Sequence, residues 1–406
     1  LKIGDPDYAA PADAPAERTS SRDMLRRFVQ GDLASLRVIL AIAVIWIIFQ
    51  SQDSNFLTAA NLTNLFLQIT AVGLIAVGVV LVLLIGEIDL SVGAVSGFAA
   101  AVMAVLNVKH GWPPVTAVTA GVLTGALIGV VQGLLFTRFT IPSFVVTLAG
   151  SLVWQGALLK VLGTTGTVNL SNSGITNLAN TFYGDAVGWV MAAIAIATYA
   201  AFTLNGHRHR AAAGVTSEPV ALLLVRIVVM AAVTIAAVAI LNADRGVPLA
   251  LLILFAFVVG FQLLATRTVF GRHLFAVGGS AEAARRAGIG VTKIRVVAFT
   301  LCSSMAAVGG ILAASRLLAV NQSSGGSNLL LEAIAAPVIA GTSLFGGRGS
   351  VWSALLGATV IGSIANGMNL LALESSVKLM ITGGVLLASV IVDAIARLRR
   401  QQEGRV

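Results

Sequence analysis

Leu65-Phe-Leu-Gln-Ile-Thr-Ala-Val-Gly-Leu-Ile-Ala-Val-Gly-Val-Val-Leu-Val-Leu-Leu-Ile85 carries no charged side chain. It is as long as the run of about 20 apolar residues that crosses a bilayer as a helix. Such segments recur along the whole chain. Its 406 residues are 57% hydrophobic and 11% charged, with a mean hydropathy of +0.94, whereas soluble domains are about 25% charged. A membrane barrel would instead show short alternating strands. The reading is therefore an all-α, polytopic helical bundle embedded in a membrane. The other candidate spans are 36–49, 91–107, 115–136, 141–162, 186–204, 220–241, 247–265, 294–319, 329–345, 350–372 and 374–396, giving about twelve transmembrane helices within one membrane domain at 36–396.

Residues 1–35, rich in Ala, Pro, Ser and charge, read as a disordered cytoplasmic tail. The apolar segment after them lacks a small-residue cleavage site and reads as a retained anchor. Residues 205–219 and 266–293 read as cytoplasmic loops, and 397–406 as a basic cytoplasmic tail. Alternating the spans from a cytoplasmic N-terminus places 20 of the 26 basic residues inside. Lys109, Lys160, Arg245, Arg316 and Lys378 fall outside, and Arg226 falls within a span. That asymmetry supports two cytoplasmic termini. It also explains the formal net charge of +9 through contact with anionic membrane lipid, with no need for nucleic acid. The single cysteine, Cys302, can form no intramolecular disulfide and reads as a small packing residue.

Gly121, Gly125, Gly129 and Gly133 repeat every four residues and line one helix face, where they allow a neighbouring helix to come close. No firm internal repeat emerges. Ser91-Val92 and Ser350-Val351 both follow cytoplasmic turns, but their surroundings hardly match.

Absences narrow the chemistry. There is no Gly-Lys pair, hence no P-loop of its own for ATP. There is no His-Glu-x-x-His, no Gly-x-Ser-x-Gly and no pair of deep aspartates, so no metal or hydrolase centre is expected. All four histidines lie in loops, and of the acids near apolar segments only Glu332 sits clearly inside a span, which is thin equipment for a proton relay. The polar exception is Gly271-Arg-His-Leu-Phe-Ala-Val-Gly-Gly-Ser-Ala-Glu-Ala-Ala-Arg-Arg-Ala-Gly-Ile-Gly290. Residues 280–288 read as a short helix, with Ser280 as N-cap, Glu282 in the first turn and Gly288 ending it. Such a helix suits docking into a soluble partner, and an ordinary positive-inside loop explains the same residues.

Ile85-Gly-Glu-Ile-Asp-Leu-Ser-Val-Gly-Ala94, Phe139-Thr-Ile-Pro-Ser-Phe-Val-Val-Thr-Leu-Ala-Gly150, the 271–290 island and Glu332-Ala-Ile-Ala-Ala-Pro-Val-Ile-Ala-Gly-Thr-Ser-Leu-Phe-Gly-Gly347 follow one another in this chain. Together they resemble segments of the permease subunits of bacterial ABC importers for ribose, xylose and related sugars. That family lies within the branched-chain amino acid and monosaccharide permease superfamily. Glu87, Ser280, Gln132 and Pro337 depart from the usual pattern, and the extra length and basic loop are similar to the xylose-type branch.

The resemblance implies an inner-membrane subunit that pairs with a second permease copy. It implies a separate cytoplasmic ATP-binding subunit holding ATP-Mg, with no cofactor on this chain, and an extracytoplasmic sugar-binding protein. The permease itself is then not an enzyme. Permeases for nucleosides or branched-chain amino acids share the motifs, and an ion-coupled carrier using Glu332 is the alternative from another class. On this resemblance Arg272, Ser280, Glu282, Ala283, Ala284, Arg285 and Gly288 form the ATPase-coupling element, with lipid contact as the other reading of Arg272. Neutral amides, hydroxyls and an aromatic face suit a sugar path. The candidates inside spans are Gln132, Thr147, Ser151, Trp154, Gln155, Asn366 and Asn369, together with Glu332. The same residue types also serve as interhelical hydrogen-bond glue. Glu87, Asp89 and Ser91 are placed at a cytoplasmic turn, as an inner gate or as helix-start chemistry. The outer loops 107–114 and 163–185 are the expected landing surface for the binding protein.

Overall fold

A computed structural model describes residues 21–214 and 219–402. It is a helical bundle organised around two long helices, α2 (Ala59–Leu84) and α12 (Val291–Leu317). α2 is apolar all round and buried almost throughout, the pattern of a helix enclosed by others. Its start is capped by Thr58, which accepts from Asn61 N. α2 and α12 run antiparallel in close contact. A Cβ at Gly78 would lie 2.8 Å from the Cys302 carbonyl oxygen, and one at Gly309 would lie 2.8 Å from that of Ala71. Small residues therefore set the separation of the two central helices.

Each central helix is followed by an irregular segment and a short helix. After α2 the chain turns at Gly86 (φ 74°) and runs without helix to α3 (Val92–Val108). After α12 it forms the strand β4 (Ala319–Asn321), paired antiparallel with β1 (Thr167–Asn169), turns at Gly325 (φ 73°) and enters α13 (Ser327–Ile339). At 1.5 Å per residue, α13's 13 residues cover about 20 Å, less than a bilayer core of about 30 Å. The expected span 329–345 is thus a partial crossing, whereas α3, on the expected span 91–107, has 17 residues and reaches about 26 Å. The starts of the two helices meet, since a Cβ at Gly93 would lie 2.8 Å from the Gly325 carbonyl oxygen.

The next two helices on each side complete the pattern. α4 (Pro114–Phe139) packs on α12, while α14 (Trp352–Leu370) packs on α2. α5 (Ser143–Leu162) lies against α3, and α15 (Ser375–Gln402) against α13. Four consecutive helices thus recur with opposite direction, an inverted-topology repeat. The repeat equates the start of α3 with the start of α13, so the likeness of Ser91-Val92 to Ser350-Val351 was misleading. The glycine face of α4 is applied to α12, with Gly125 against Ser303 and Ala307, and Gly133 against Val296.

The remainder decorates this core. α1 (Ser21–Gln52) lies on α14. α6 (Ser173–Asn180) and the paired strands β2 (Phe182–Tyr183) and β3 (Val247–Pro248) structure the outer end, so 163–185 is no open loop. α7 (Asp185–Ala212) and α8 (Val220–Asn242) form a peripheral hairpin touching the core through α8 on α2, followed by α9 (Leu249–Arg267). Proline supplies the start of four of these helices: Pro114 occupies the first turn of α4, and Pro142, Pro219 and Pro248 cap α5, α8 and α9. Seven of the described helices are long and apolar enough to cross a membrane, and shorter apolar helices accompany them.

Three expected boundaries shift. α1 begins at Ser21, so residues 21–35 are helical rather than tail, while 1–20 lie outside the described residues. α7 continues to Ala212 through much of the expected 205–219 loop, because Ala- and Arg-rich sequence favours helix beyond the apolar span; 215–218 lie outside the described residues. α15 runs to Gln402 by the same propensity, with 403–406 outside the described residues.

Gly125→Leu should destabilise the protein, because a Cβ there would lie 2.5 Å from the Ser303 carbonyl oxygen. Overpacking of this kind costs about 1–3 kcal/mol or more. Thermal unfolding in detergent should show a clear fall in Tm for it and none for Gly156→Ala, whose Cβ would meet nothing within 4 Å.

Candidate functional site

The polar island at 271–290, expected on the cytoplasmic side, is built from α10 (Val269–Gly279) and α11 (Ala281–Arg286). Thr268 caps α10, accepting from Gly271 N at 3.2 Å while its hydroxyl donates to Leu264 O at 2.6 Å. Ser280 caps α11 by accepting from Ala283 N at 3.2 Å. The helix closes as Gly288 N donates to Arg285 O and Ile289 N to Ala284 O, with Gly288 at φ 82°. Glu282 forks between Arg285 and Arg286, each pair at 3.0 Å and all three exposed. Exposed pairs of this kind stabilise little and leave the charges available to a partner. Glu282, Ala283 and Arg285 share the exposed surface, as does Arg272 on α10. Ala284 departs from its expected docking role, because it is 4% exposed and turned into the bundle.

This unit is seated on both halves of the repeat. Gly347 N donates to the Leu84 carbonyl at 2.9 Å, joining the end of α2 to the turn between α13 and α14. Gly278 of α10 is pressed onto the same carbonyl and onto Gly347, with no room for a Cβ.

The segment 85–91 lies beside this seat. Glu87 forms a 2.9 Å ion pair with Arg295 near the start of α12, both largely covered, and Arg295 stands over the Phe136 ring at 5.9 Å. Beyond Glu87 the chain turns inward. Asp89 is 2% exposed and Ser91 fully buried, so these two are not at an open cytoplasmic turn as expected. The reason is that the interrupted backbone is answered by side chains: Ile88 N donates to Ser143 Oγ at 3.4 Å and Leu90 N to Thr147 Oγ1 at 3.0 Å. Asp89 Oδ1 accepts from Ser91 N at 2.8 Å and from Ser91 Oγ at 2.6 Å. Ser91 therefore makes no cap bond to α3, and its hydroxyl also lies 3.0 Å from Gln132 Oε1.

The path candidates separate into groups. Thr147 is fully buried and holds the 85–91 backbone, so it acts as glue. Asn366 exchanges hydrogen bonds with Asn61 at 2.8 and 3.0 Å, joining α14 to α2. Asn369 accepts from Lys378 Nζ at 2.7 Å at the end of α14, so the two asparagines share no site. Gln132 and Trp154 do come together: both side-chain nitrogens face Gly150, and neither has a hydrogen-bond partner among the described residues. Trp154 also stacks on Phe98, with ring centroids 6.0 Å apart. Ser151 donates back to Leu148 O, and Gln155 is exposed on the outward face of α5. Glu332 is half-buried on α13 with no hydrogen bond or ion pair among the described residues. Sequence reasoning missed Ser143, Arg295 and the role of Asn61. The Ile-Pro-Ser run was the one available signal, for Ser143.

These features are a helical membrane bundle with an inverted repeat, interrupted helices and a seated cytoplasmic helix. Residues 61–390 match the family described as the branched-chain amino acid transport system permease component. The chain belongs to this family. It is a multi-pass permease of the bacterial inner membrane. It is 36% identical over 365 residues to the xylose transport system permease protein of Escherichia coli (strain K12), covering 89% of this chain and 92% of that protein. The corresponding xylose permease of Haemophilus influenzae is 33% identical over 357 residues, covering 88% and 95%. The ribose import permease of Bacillus subtilis (strain 168) is 32% identical over 364 residues, covering 89% and 94%. No solved structure matches it.

Asp89→Ala would strand the buried Ser91 N–H and leave the Ser91 hydroxyl only Gln132 Oε1, a loss of about 1–3 kcal/mol. The permease should then unfold several degrees lower in a detergent melt, whereas Asp89→Asn, which keeps the Oδ1 acceptor, should retain most of the stability.

Proposed function

We propose that this permease is the translocation subunit of an ATP-driven importer for a pentose, xylose first. In this reading two copies pair in the membrane, a separate cytoplasmic ATPase carries ATP-Mg, and an extracytoplasmic binding protein delivers the sugar to the outer end around 107–114 and 163–185. The observation that carries it is the seat of α11, whose exposed Glu282, Ala283 and Arg285 stand on the joined ends of α2 and the α13–α14 turn. A partner that moves α11 moves both halves of the repeat. The xylose and ribose permeases among its relatives support the substrate class.

The path is assigned to the region where α3, α4 and α5 converge, with α13 adjoining the start of α3. Gln132 Nε2 and Trp154 Nε1 are unanswered donors beside Gly150. They offer a hydroxylated solute hydrogen bonds, and Trp154 offers a ring face, without a fixed charge to hold it. Ser151, half-buried one residue from Gly150, continues the polar edge along α5, while Gln155 on its outward face is left out of the path. Glu332 contributes a carboxylate from the short helix α13, where an unpaired charge inside the membrane marks either a hydrated path or an ion site. That observation favours the ion-coupled carrier as the second reading. Glu87 and Arg295 form a latch between the 85–91 segment and α12 on the cytoplasmic side.

Labelled xylose uptake in cells carrying the permease with its partner subunits decides between the readings. Uptake should survive a proton uncoupler under maintained ATP and stop on ATP depletion. Glu282→Ala with Arg285→Ala should lower uptake roughly 10-fold at unchanged membrane abundance, the scale of one or two lost charge-assisted contacts. Glu332→Gln should leave uptake within a few-fold. Collapse with the proton gradient, or abolition by Glu332→Gln alone, would establish the carrier reading instead.

A further inference from the structure

An open-sided cleft of about 690 Å³ lies between the cytoplasmic ends of α7 and α9. The hairpin of α7 and α8 stands away from the bundle here, because α7 packs mainly on α8. The walls stand apart at Gly206 and Gly260, since a Cβ at either would meet nothing within 4 Å. The walls are apolar, formed by Phe202, which is 70% exposed, Leu263, 47% exposed, and Leu264. From Gly260 to Arg267 the cleft runs two helical turns, about 10 Å, toward the cytoplasmic surface.

The rim reverses the chemistry of the walls. Arg267 and His209 face the mouth together with Asn205. Neither Arg267 nor His209 makes a side-chain hydrogen bond or ion pair among the described residues. Arg208 and Arg210 flank His209 on α7, and Arg272 follows on α10. No Asp or Glu occurs anywhere in 186–214 or 249–279. The mouth therefore carries the positive charge of Arg267, without an ion pair among the described residues and with further basic residues on α7 and α10 nearby in sequence, above an apolar slot opening sideways. An anion alone leaves the slot unfilled, and an uncharged acyl chain leaves the arginine unanswered. One molecule that satisfies both is a lipid with an anionic headgroup, and basic pockets between membrane helices on this side are suited to such headgroups.

We propose that this cleft binds one anionic phospholipid of the inner leaflet. Its phosphate lies on Arg267 and His209, and one acyl chain runs along Phe202, Gly206, Gly260 and Leu263. The bound lipid fills the gap between hairpin and bundle, so it braces α7 against α9. This site is independent of the sugar path and of α11.

The test places the full-length permease in phosphatidylcholine nanodiscs. They contain a small fraction of phosphatidylglycerol or phosphatidylcholine bearing a photoreactive acyl chain, and adducts are mapped by mass spectrometry. Phosphatidylglycerol adducts should concentrate on the peptides holding Phe202 and Leu263 and exceed phosphatidylcholine adducts there about 5-fold. Arg267→Ala should remove about that preference, the scale of one basic residue near a charged surface. Gly260→Leu should reduce adducts of both probes in the cleft. Labelling around Leu152 on the lipid-facing side of α5 should not change in either variant, which reports an intact fold. Equal labelling by the two probes, or indifference to Arg267→Ala, would overturn the proposal. Displacement of the label by excess glycerol phosphate would assign the site to a free anion. Absence of adducts from the cleft would assign it to protein.

Discussion

A backbone that leaves helical form inside a bilayer must have its N–H and C=O groups answered by protein, because lipid offers no partner. This constraint governs the fold. Between Gly86 and Ser91 the chain is not helical, yet the backbone N–H groups from Gly86 to Leu90 that point inward are met by Leu83 O, Val82 O, Ser143 Oγ and Thr147 Oγ1, and that of Ser91 by Asp89 Oδ1. The inverted partner, 318–326, solves the problem differently. Leu318 O accepts from Leu170 N, and a self-contained turn of Asn321, Ser323 and Ser324 answers the rest. One interruption leans on a neighbouring helix, and the other on a small outer sheet and its own side chains.

This explains why separate stretches of sequence stand out together. The Asp-Leu-Ser run at 89–91 and the Pro-Ser-Phe-Val-Val-Thr run at 142–147 are two faces of one hydrogen-bonded joint. The island at 271–290 and the run at 332–347 meet in the same way, at Gly278 and Gly347 over the Leu84 carbonyl. Departures from the family pattern fit locally. Ser280 still caps α11, the longer Gln132 reaches Ser91, and Glu87 finds Arg295. Pro337 sits near the end of α13, where few helical hydrogen bonds remain to lose.

The long apolar runs, the prolines before helices and the capped island were legible in the sequence because each follows from local chemistry. The partial crossing was not. The apolar run at 329–345 reads the same whether it spans the membrane or stops at Ile339 and turns, since a buried turn is as apolar as a helix. The inverted repeat was hidden because packing conserves helix order and direction while leaving residues free. Asp89 was misplaced for a related reason: an acid in a short break between two apolar runs reads as a surface turn, and only the three-dimensional joint shows it buried on Ser91, whose hydroxyl in turn lies beside Gln132 of α4. Polar residues in spans are separated by what they face, so Asn366 and Trp154 were indistinguishable until Asn366 was seen paired with Asn61 and Trp154 Nε1 without a partner beside Gly150.

The geometry also limits how motion at the cytoplasmic surface can spread. α11 is too short to act as a lever by itself, and its charges are solvated. Its effect depends on Gly278, which is pressed against backbone rather than against a side chain that could yield. The Leu84 carbonyl beneath it immediately precedes the irregular 85–91 segment, and Gly347 closely follows α13. A displacement at α11 on the proposed reading therefore enters both interrupted segments through backbone. It meets the stiff α2–α12 pair only afterwards. Closely packed glycines hold that pair as a single axis, so on the proposed reading any displacement is taken up in the interrupted segments on either side of it.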